Sequence, residues 1–361
     1  MDRRSLIKNA GIAGVLAAGA APAVHAQPVV RWRLASSFPR SLDIVYGCSE
    51  LFAKMVKSMS GGKFEISIHS PGELMPAFGV FDGVQSGSVE ICHTMGYYFY
   101  GKNPAFALSS CVPFGLNSRQ MTAWLMHGNG RKLVNEFYAQ YGVTSFFGGN
   151  TGTQMGGWFR KEIKTPADFK GLKMRIAGFA GRVMERLGVV PQQLGGADLY
   201  PSLERGTIDA AEWVGPYDDE RLGLNKVAKF YYYPGWWEGN GAVDAYFNLK
   251  AWDALPPEYQ AILEAACWEG HNWMQARYDA MNPAALRRLV AGGTQLRVFP
   301  REVTVAAYKA AMQVYAETSA KHPNFKRLYD SMVKFRNEQL LWFRVAEKGY
   351  DDFMHTIGTI K

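Results

Sequence analysis

The chain has 361 residues, a formal charge of +8 at pH 7, and 48% hydrophobic against 20% charged residues. That balance excludes a disordered or low-complexity chain, and 14% aromatic content promises a large interior. Lysines and arginines are scattered among acids and form no stripe, which argues against a nucleic-acid partner and leaves a small anion as the natural counterpart of the positive charge.

In chain order, Asp2-Arg3-Arg4-Ser5-Leu6-Ile7-Lys8 precedes an Ala/Gly-rich stretch from Ala10 to Ala23 and the small-residue end Val24-His25-Ala26. This is the pattern of a secretory signal over 1–26, and the paired arginines favour the twin-arginine route to the periplasm. The apolar run is shorter than the roughly 20 residues that cross a bilayer. Removing 1–26 leaves 335 residues, a length that suggests two domains.

Alternation over Val30–Leu34, a helical pattern over Leu42–Met59, the Gly61-Gly62 stop and a strand at Phe64–His69 predict a βαβ start. A helix near Pro76–Ser86, a strand at Val89–Thr94, one helix over Ser118–Tyr141 and a strand at Val143–Phe147 continue the series. A second series follows, with strands at Gly157–Arg160, Leu172–Ile176, Val189–Gln192 and Ile208–Trp213. A long helix over 256–290, a strand at Gln295–Phe299 and helices to the end complete the chain. Alternating elements of this kind predict an α/β fold with mixed sheets and a helical C-terminus.

Two stretches echo each other: Val84-Gln85-Ser86-Gly87-Ser88-Val89-Glu90-Ile91 and Leu203-Glu204-Arg205-Gly206-Thr207-Ile208-Asp209-Ala210. In each, a helix stops on glycine and a strand follows. Ligands of open α/β sheets bind beyond the carboxyl ends of strands, so Thr94–Tyr100 and Glu212–Tyr217 should face one cleft.

Arg175, charged in a strand expected to be largely covered, either lies on a solvated face or needs an anion, for which its planar fork suits a carboxylate. Glu212, at a strand end beside Trp213, can accept an arginine, act as an acid or ligate a hard cation, and Gln154 can add a neutral oxygen. Asn150-Thr151-Gly152-Thr153-Gln154 reads as a first crossover between lobes, and Tyr231-Tyr232-Tyr233-Pro234-Gly235-Trp236-Trp237-Glu238 as an aromatic cluster suited to core or cleft wall. GxSxG, HExxH and GxxxxGK[ST] are absent, Gly128-Asn129-Gly130 sits inside a helical pattern with no preceding strand, and His93 reads as a core histidine. The four cysteines Cys48, Cys92, Cys111 and Cys267 have no CxxC spacing, and a disulfide is permitted but not specified.

Thr165-Pro166-Ala167-Asp168-Phe169-Lys170-Gly171-Leu172-Lys173-Met174-Arg175 resembles the signature of the solute receptors of tripartite ATP-independent periplasmic (TRAP) transporters. Ser70-Pro71-Gly72-Glu73-Leu74, Gly87, Gly206, Glu212-Trp213 and Leu255-Pro256-Pro257-Glu258-Tyr259 agree in order, and the resemblance favours the branch of 2-oxoacid and lactate receptors. It implies a periplasmic-binding-protein fold of two α/β lobes joined by crossing segments, with no enzymatic activity. Lobe I then takes 27–150 and about 243–275, lobe II takes 151–242 and about 291–325, and a spanning helix takes 256–290. The C-terminal helices of 326–361 become a dimerisation element.

By the same resemblance Arg175 holds the ligand carboxylate, while Gln154, Glu212 and the carbonyl of Trp213 hold a cation, sodium ahead of calcium. Asn150 hydrogen-bonds the ligand, Tyr98, Trp237 and Glu238 line the cleft wall, and membrane subunits of a transporter are the partners. Two alternatives stand beside this reading: a metal-free receptor for a larger aromatic carboxylate or sugar acid, and an exported metal-dependent enzyme with Glu212 as base.

Overall fold

Two mixed sheets divide the chain. The computed structural model describes residues 28–357, so the export signal of 1–26 lies outside the described residues. From Arg31 onward the chain forms one unit. The first series runs β1 (Val30–Ser36), α1 (Val45–Met59), β2 (Phe64–His69), α2 (Val80–Gln85), β3 (Ile91–Thr94), α3 (Ser118–His127), α4 (Gly130–Ala139) and β4 (Val143–Asn150). The second runs β5 (Trp158–Phe159), β6 (Lys173–Arg175), α5 (Gly178–Arg186), β7 (Val190–Gln192), α6 (Gly196–Glu204), β8 (Ala210–Ala211), α7 (Pro216–Arg221) and β9 (Phe230–Tyr233). Then come β10 (Ala242–Asn248), α8 (Leu249–Asp253), α9 (Pro257–Ala291), β11 (Gln295–Val298), α10 (Arg301–Lys321), α11 (Pro323–Phe343) and α12 (Gly349–Ile357).

The first sheet has the order β2-β1-β3-β10-β4 and the second β11-β9-β5-β8-β6-β7. In each, parallel pairs such as β1 with β3 and β6 with β8 meet antiparallel ones such as β10 with β4 and β5 with β9. β1 shows why its segment becomes a strand: Trp32 and Leu34 are buried while Arg31 and Arg33 face solvent, the period-2 pattern of a half-covered sheet. The echo is structural. Gly87 and Gly206 follow α2 and α6 with φ of 76° and 73°, the left-handed stop that lets each chain turn into β3 or β8.

Three connections cross between the sheets: residues 151–157 leave β4 for β5, residues 234–241 return from β9 to β10, and α9 runs from α8 to β11. The first two pair with each other through Thr151 N to Gly241 O (3.0 Å) and Gln154 N to Glu238 O (3.0 Å). Along α9, Met274 packs over Gly149 of β4, whereas one turn on Tyr278 Oη donates to Asp218 Oδ2 of α7 (2.8 Å). One helix thus touches both bodies.

The single helix expected over Ser118–Tyr141 is two. Asn129 takes a left-handed φ of 69°, and the Trp124 ring lies so close to Gly130 that a Cβ there would come within 2.6 Å of it. Gly128-Asn129-Gly130 therefore ends α3 and starts α4. The strand expected over Ile208–Trp213 shrinks to Ala210–Ala211, because Glu212 and Trp213 have already turned toward the crossing segments. Tyr231, Tyr232 and Tyr233 of the aromatic cluster are strand residues of β9, paired in parallel with β11. All four cysteines are free and buried. Among the described residues no helix is long and apolar enough to cross a membrane.

Candidate functional site

At the carboxyl ends of β6 and β8 an arginine and a glutamate are buried together. Arg175, on the last residue of β6, is 1% exposed, as is Glu212 just after β8. Arg175 Nη1 donates to Glu212 Oε2 at 2.8 Å and to the Glu212 carbonyl at 2.5 Å, and its Nε donates to Leu194 O at 3.2 Å. The guanidinium lies 4.9 Å from the centroid of the Trp213 ring. Gly196 makes room for that indole, since a Cβ there would come within 2.8 Å of it.

The segment carrying Glu212 is pinned from two sides. Met155 N donates to Val214 O at 3.0 Å, and Val214 N donates to Asp219 Oδ1 at 3.3 Å. Asp219 Oδ2 in turn accepts from Trp158 Nε1 (2.9 Å) and Tyr231 Oη (2.7 Å), whose rings stack at 4.0 Å. These donors oppose the burial that pushes the Asp219 carboxyl up to about 6.

Gln154 arrives on the first crossing segment. Its Nε2 donates to Thr151 Oγ1 at 3.0 Å, and the pair fits only because residue 241 is glycine: a Cβ there would collide with Gln154 Nε2 and lie 2.6 Å from Thr151 Oγ1. The second crossing segment brings Glu238, 4% exposed, whose carboxyl feels the charge of Arg175 and lies near Cys111 and Tyr97. From the first sheet, Tyr97 and Tyr98 follow β3 as the echo predicts, and both feel the charges of Glu212 and Glu238.

Burial, then the charge of Glu238, push the Glu212 carboxyl well up against the pull of Arg175, and burial lifts Glu238 to about 7. Burial works against the Arg175 charge, but Glu212 and the neighbouring tyrosines and Glu238 keep its pKa raised. The acids outnumber the guanidinium. Several polar atoms are left without a partner among the described residues: Arg175 Nη2, Glu212 Oε1, Gln154 Oε1, Glu238 Oε2 and Trp213 Nε1. An unmet buried polar atom costs about 1–3 kcal/mol, so this set stands out from a protein interior in which such groups are normally paired. Two unpaired donors, Arg175 Nη2 and Trp213 Nε1, stand beside three unpaired oxygens, so the set can receive an anion on the guanidinium and a cation on the oxygens.

The other expected residues are placed differently. Asn150 is fully buried and held inside the crossing, donating from Nδ2 to Asn240 Oδ1 (3.3 Å) and accepting from Gly152 N (2.9 Å). Trp237 packs its ring against Trp236 and Phe299, on the side of the second sheet. His93 is a core residue whose Nε2 contacts Gly148 O at 2.5 Å, with its pKa lowered to about 4 by burial. The sequence reading gave Cys111, Asp218 and Asp219 no place in the site, and named Tyr97 and Thr151 only as members of a cleft-facing stretch and a crossover. The adjacent acids Asp218-Asp219 after Gly215-Pro216 were the one available signal, since acids are common in a helix's first turn and these two point inward. Among the described residues no three His, Cys, Asp or Glu side chains converge as a metal-ligand group, so any cation here must take amide and carbonyl oxygens as well.

Comparison with known proteins gives this geometry a context. The model of the bacterial extracellular solute-binding protein family 7 matches residues 35–322. A monocarboxylate 2-oxoacid-binding periplasmic protein of Nostoc is 47% identical over 360 residues, covering 98% of this chain and 99% of its own. A TRAP transporter solute-binding protein from Bordetella bronchiseptica, a mixed-occupancy dimer with copurified calcium and picolinate in its bound site, superposes with a TM-score of 0.91. It is 49% identical, with 92% of this chain and 99% of that one covered. A TRAP receptor from Pseudoalteromonas atlantica with bound sodium and pyruvate has a TM-score of 0.87 at 40% identity, over 90% of this chain and 98% of its own.

Proposed function

The chain belongs to the bacterial extracellular solute-binding proteins of family 7, periplasmic TRAP receptors and not enzymes, and from that footing we propose that it captures a small monocarboxylate, a 2-oxoacid or 2-hydroxyacid, together with a cation. The observation that carries the reading is the set of unpaired buried atoms around Arg175. Arg175 Nη2 is the free donor for a ligand carboxylate. Glu212 Oε1 and Gln154 Oε1, with the carbonyl of Trp213, are the oxygen donors for a hard cation, a chemistry that suits sodium or calcium. Both groups would remove unmet polar atoms, and the cation would supply the positive charge that lets a carboxylate approach two buried acids.

Glu238 changes the charge count. Glu212, Glu238 and a monocarboxylate carry three negative charges against one on Arg175, so a neutral closed cleft needs calcium, or sodium with Glu238 holding its proton. Tyr98, Trp213 and Glu238 form the wall, and Asn150 and Trp237 support it from behind in this reading. The residues of 27–150 with about 243–275, and of 151–242 with about 291–325, act as the two lobes, and α9 spans them. Delivery to membrane subunits of a transporter follows from the family role.

The C-terminal helices expose Leu341, Trp342, Val345 and Phe353, an apolar face that a second copy would cover if 326–361 serves as a dimerisation element. Sedimentation of the mature protein reads that directly.

Native mass spectrometry of the mature protein as purified, followed by calorimetry with pyruvate after chelation and after adding back calcium or sodium, tests the site. The expected result is a copurified organic acid with one cation, and pyruvate binding that is lost on chelation. An organic acid bound without a cation would overturn the cation reading and leave Arg175 as the carboxylate anchor. Turnover of the acid would overturn the receptor reading altogether.

A further inference from the structure

The loop between β7 and α6 holds residues Gln193, Leu194 and Gly195, none of them part of the proposed ligand set. Its location is unusual in that it belongs to the second sheet yet reaches the first. Gln193 Nε2 donates to the carbonyl of Tyr98 at 3.2 Å. A Cβ built on Gly195 would lie 3.8 Å from Ala77 Cβ, ordinary contact across the same gap. Beside them the Phe179 ring of α5 meets Tyr100 edge-on at 4.8 Å. These contacts join the carboxyl-end loops of the two sheets where a cleft between them would open.

The same loop is tied to the binding arginine. Arg175 Nε donates to Leu194 O at 3.2 Å, while Nη1 is engaged by Glu212 and Nη2 is free. A circuit results: Arg175 to Leu194, its neighbour Gln193 to the main chain of Tyr98, and the Tyr98 side chain back within the field of Arg175. We infer that Gln193 is a positioning residue that latches the two bodies together over the bound solute, and that Arg175 braces the latch through Leu194. Its task is retention. The latch forms only when the bodies are together, so it acts on escape of the solute and not on first encounter, the pattern expected of a contact made after docking. Gln193 itself is exposed, so truncating it opens no cavity in the core.

The inference rests on the carboxylate reading of the site, and the experiment separates the two. Stopped-flow kinetics with pyruvate and calcium compare wild type, Gln193→Ala and Arg175→Ala, and hydrogen exchange is measured on the same proteins without added solute. The latch predicts that Gln193→Ala speeds pyruvate dissociation about fivefold, the equivalent of one hydrogen bond, leaves the association rate within about twofold, and raises exchange at residues 97–100 and 193–196. Dissociation and exchange both unchanged in Gln193→Ala, with Arg175→Ala unable to bind, overturn the latch and keep the carboxylate reading. If the wild type takes no pyruvate, the carboxylate reading fails for that acid, and exchange at 97–100 and 193–196 alone decides the latch.

Discussion

Two buried acids in this protein live in opposite circumstances. Asp244, in β10 of the first sheet, is 6% exposed and has no cation as partner among the described residues, yet its Oδ2 accepts from Ser109 Oγ (2.9 Å) and Tyr246 Oη (3.2 Å), and Tyr138 Oη ties the two donors together at 2.6 and 2.9 Å. Glu212, 1% exposed, has an arginine at 2.8 Å and still keeps one oxygen unpaired. A fully answered polar cluster holds a fold together, whereas a partly answered one around a good ion pair is a site waiting for something else. Burial alone would not have told them apart. The orphaned atoms do.

The strongest way to break that contrast is Arg175→Ala. If Arg175 anchors the ligand carboxylate, truncating that partner of a buried charge pair costs about 2–5 kcal/mol of binding, so pyruvate affinity should fall by at least about thirtyfold in calorimetry. Arg175→Lys should recover little, because an ammonium lacks the fork that serves Glu212, Leu194 and a ligand at once. Near-normal affinity in either variant would put Glu212 in the same class as Asp244, a structural acid.

Gly241→Ala sharpens the comparison from the cation side. The added methyl must displace Gln154 Nε2 or Thr151 Oγ1, and the expected loss is about tenfold in solute affinity, about 1.4 kcal/mol, with a small change in melting temperature. If affinity held while stability fell, Gln154 would be a crossing-segment strut and nothing more.

Asp244→Asn is the mildest test. Burial lifts the Asp244 carboxyl from 3.8 to about 7, so the folded state keeps a proton that the unfolded chain has lost. The wild type's stability contribution from this group is therefore intact below about pH 4 and falls as pH rises toward 7. The asparagine variant lacks that fall, so its melting temperature relative to wild type should be higher at pH 8 than at pH 5. One unit of pKa shift alone is worth about 1.4 kcal/mol. Pyruvate affinity should change by less than about twofold, and a larger change would erase the distinction between the clusters.

Much of this was legible in the residues. The paired glycine stops at Gly87 and Gly206 suggested two bodies of like construction, and the alternation around Met174-Arg175-Ile176 set a charge in a strand expected to be covered, with a solvated face left open until the family resemblance was added. What escaped was set by tertiary contact. Glu238 was named by the family resemblance and by no local pattern, and its carboxyl comes within the field of Arg175 because residues 151–155 and 238–241 pair across the crossing. Asp219 is equally hidden, since its two donors, Trp158 and Tyr231, come from strands distant in sequence that become neighbours in the second sheet. The break at Asn129 was visible as Gly-Asn-Gly but was outweighed by the apolar periodicity on both sides of it.

The 35 residues of α9 carry one more consequence. A helix of that size is about 52 Å long, with Met274 seated on the first sheet and Tyr278 fastened to α7 only four residues later. Any change in the angle between the bodies must be absorbed near that short interval and is then magnified along the rod, each degree displacing the far tip by about 0.5 Å over half of its length. The helix is in effect a built-in pointer, and its exposed residues near the far end, Arg287 and Val290, are where an optical label would register any such change of angle.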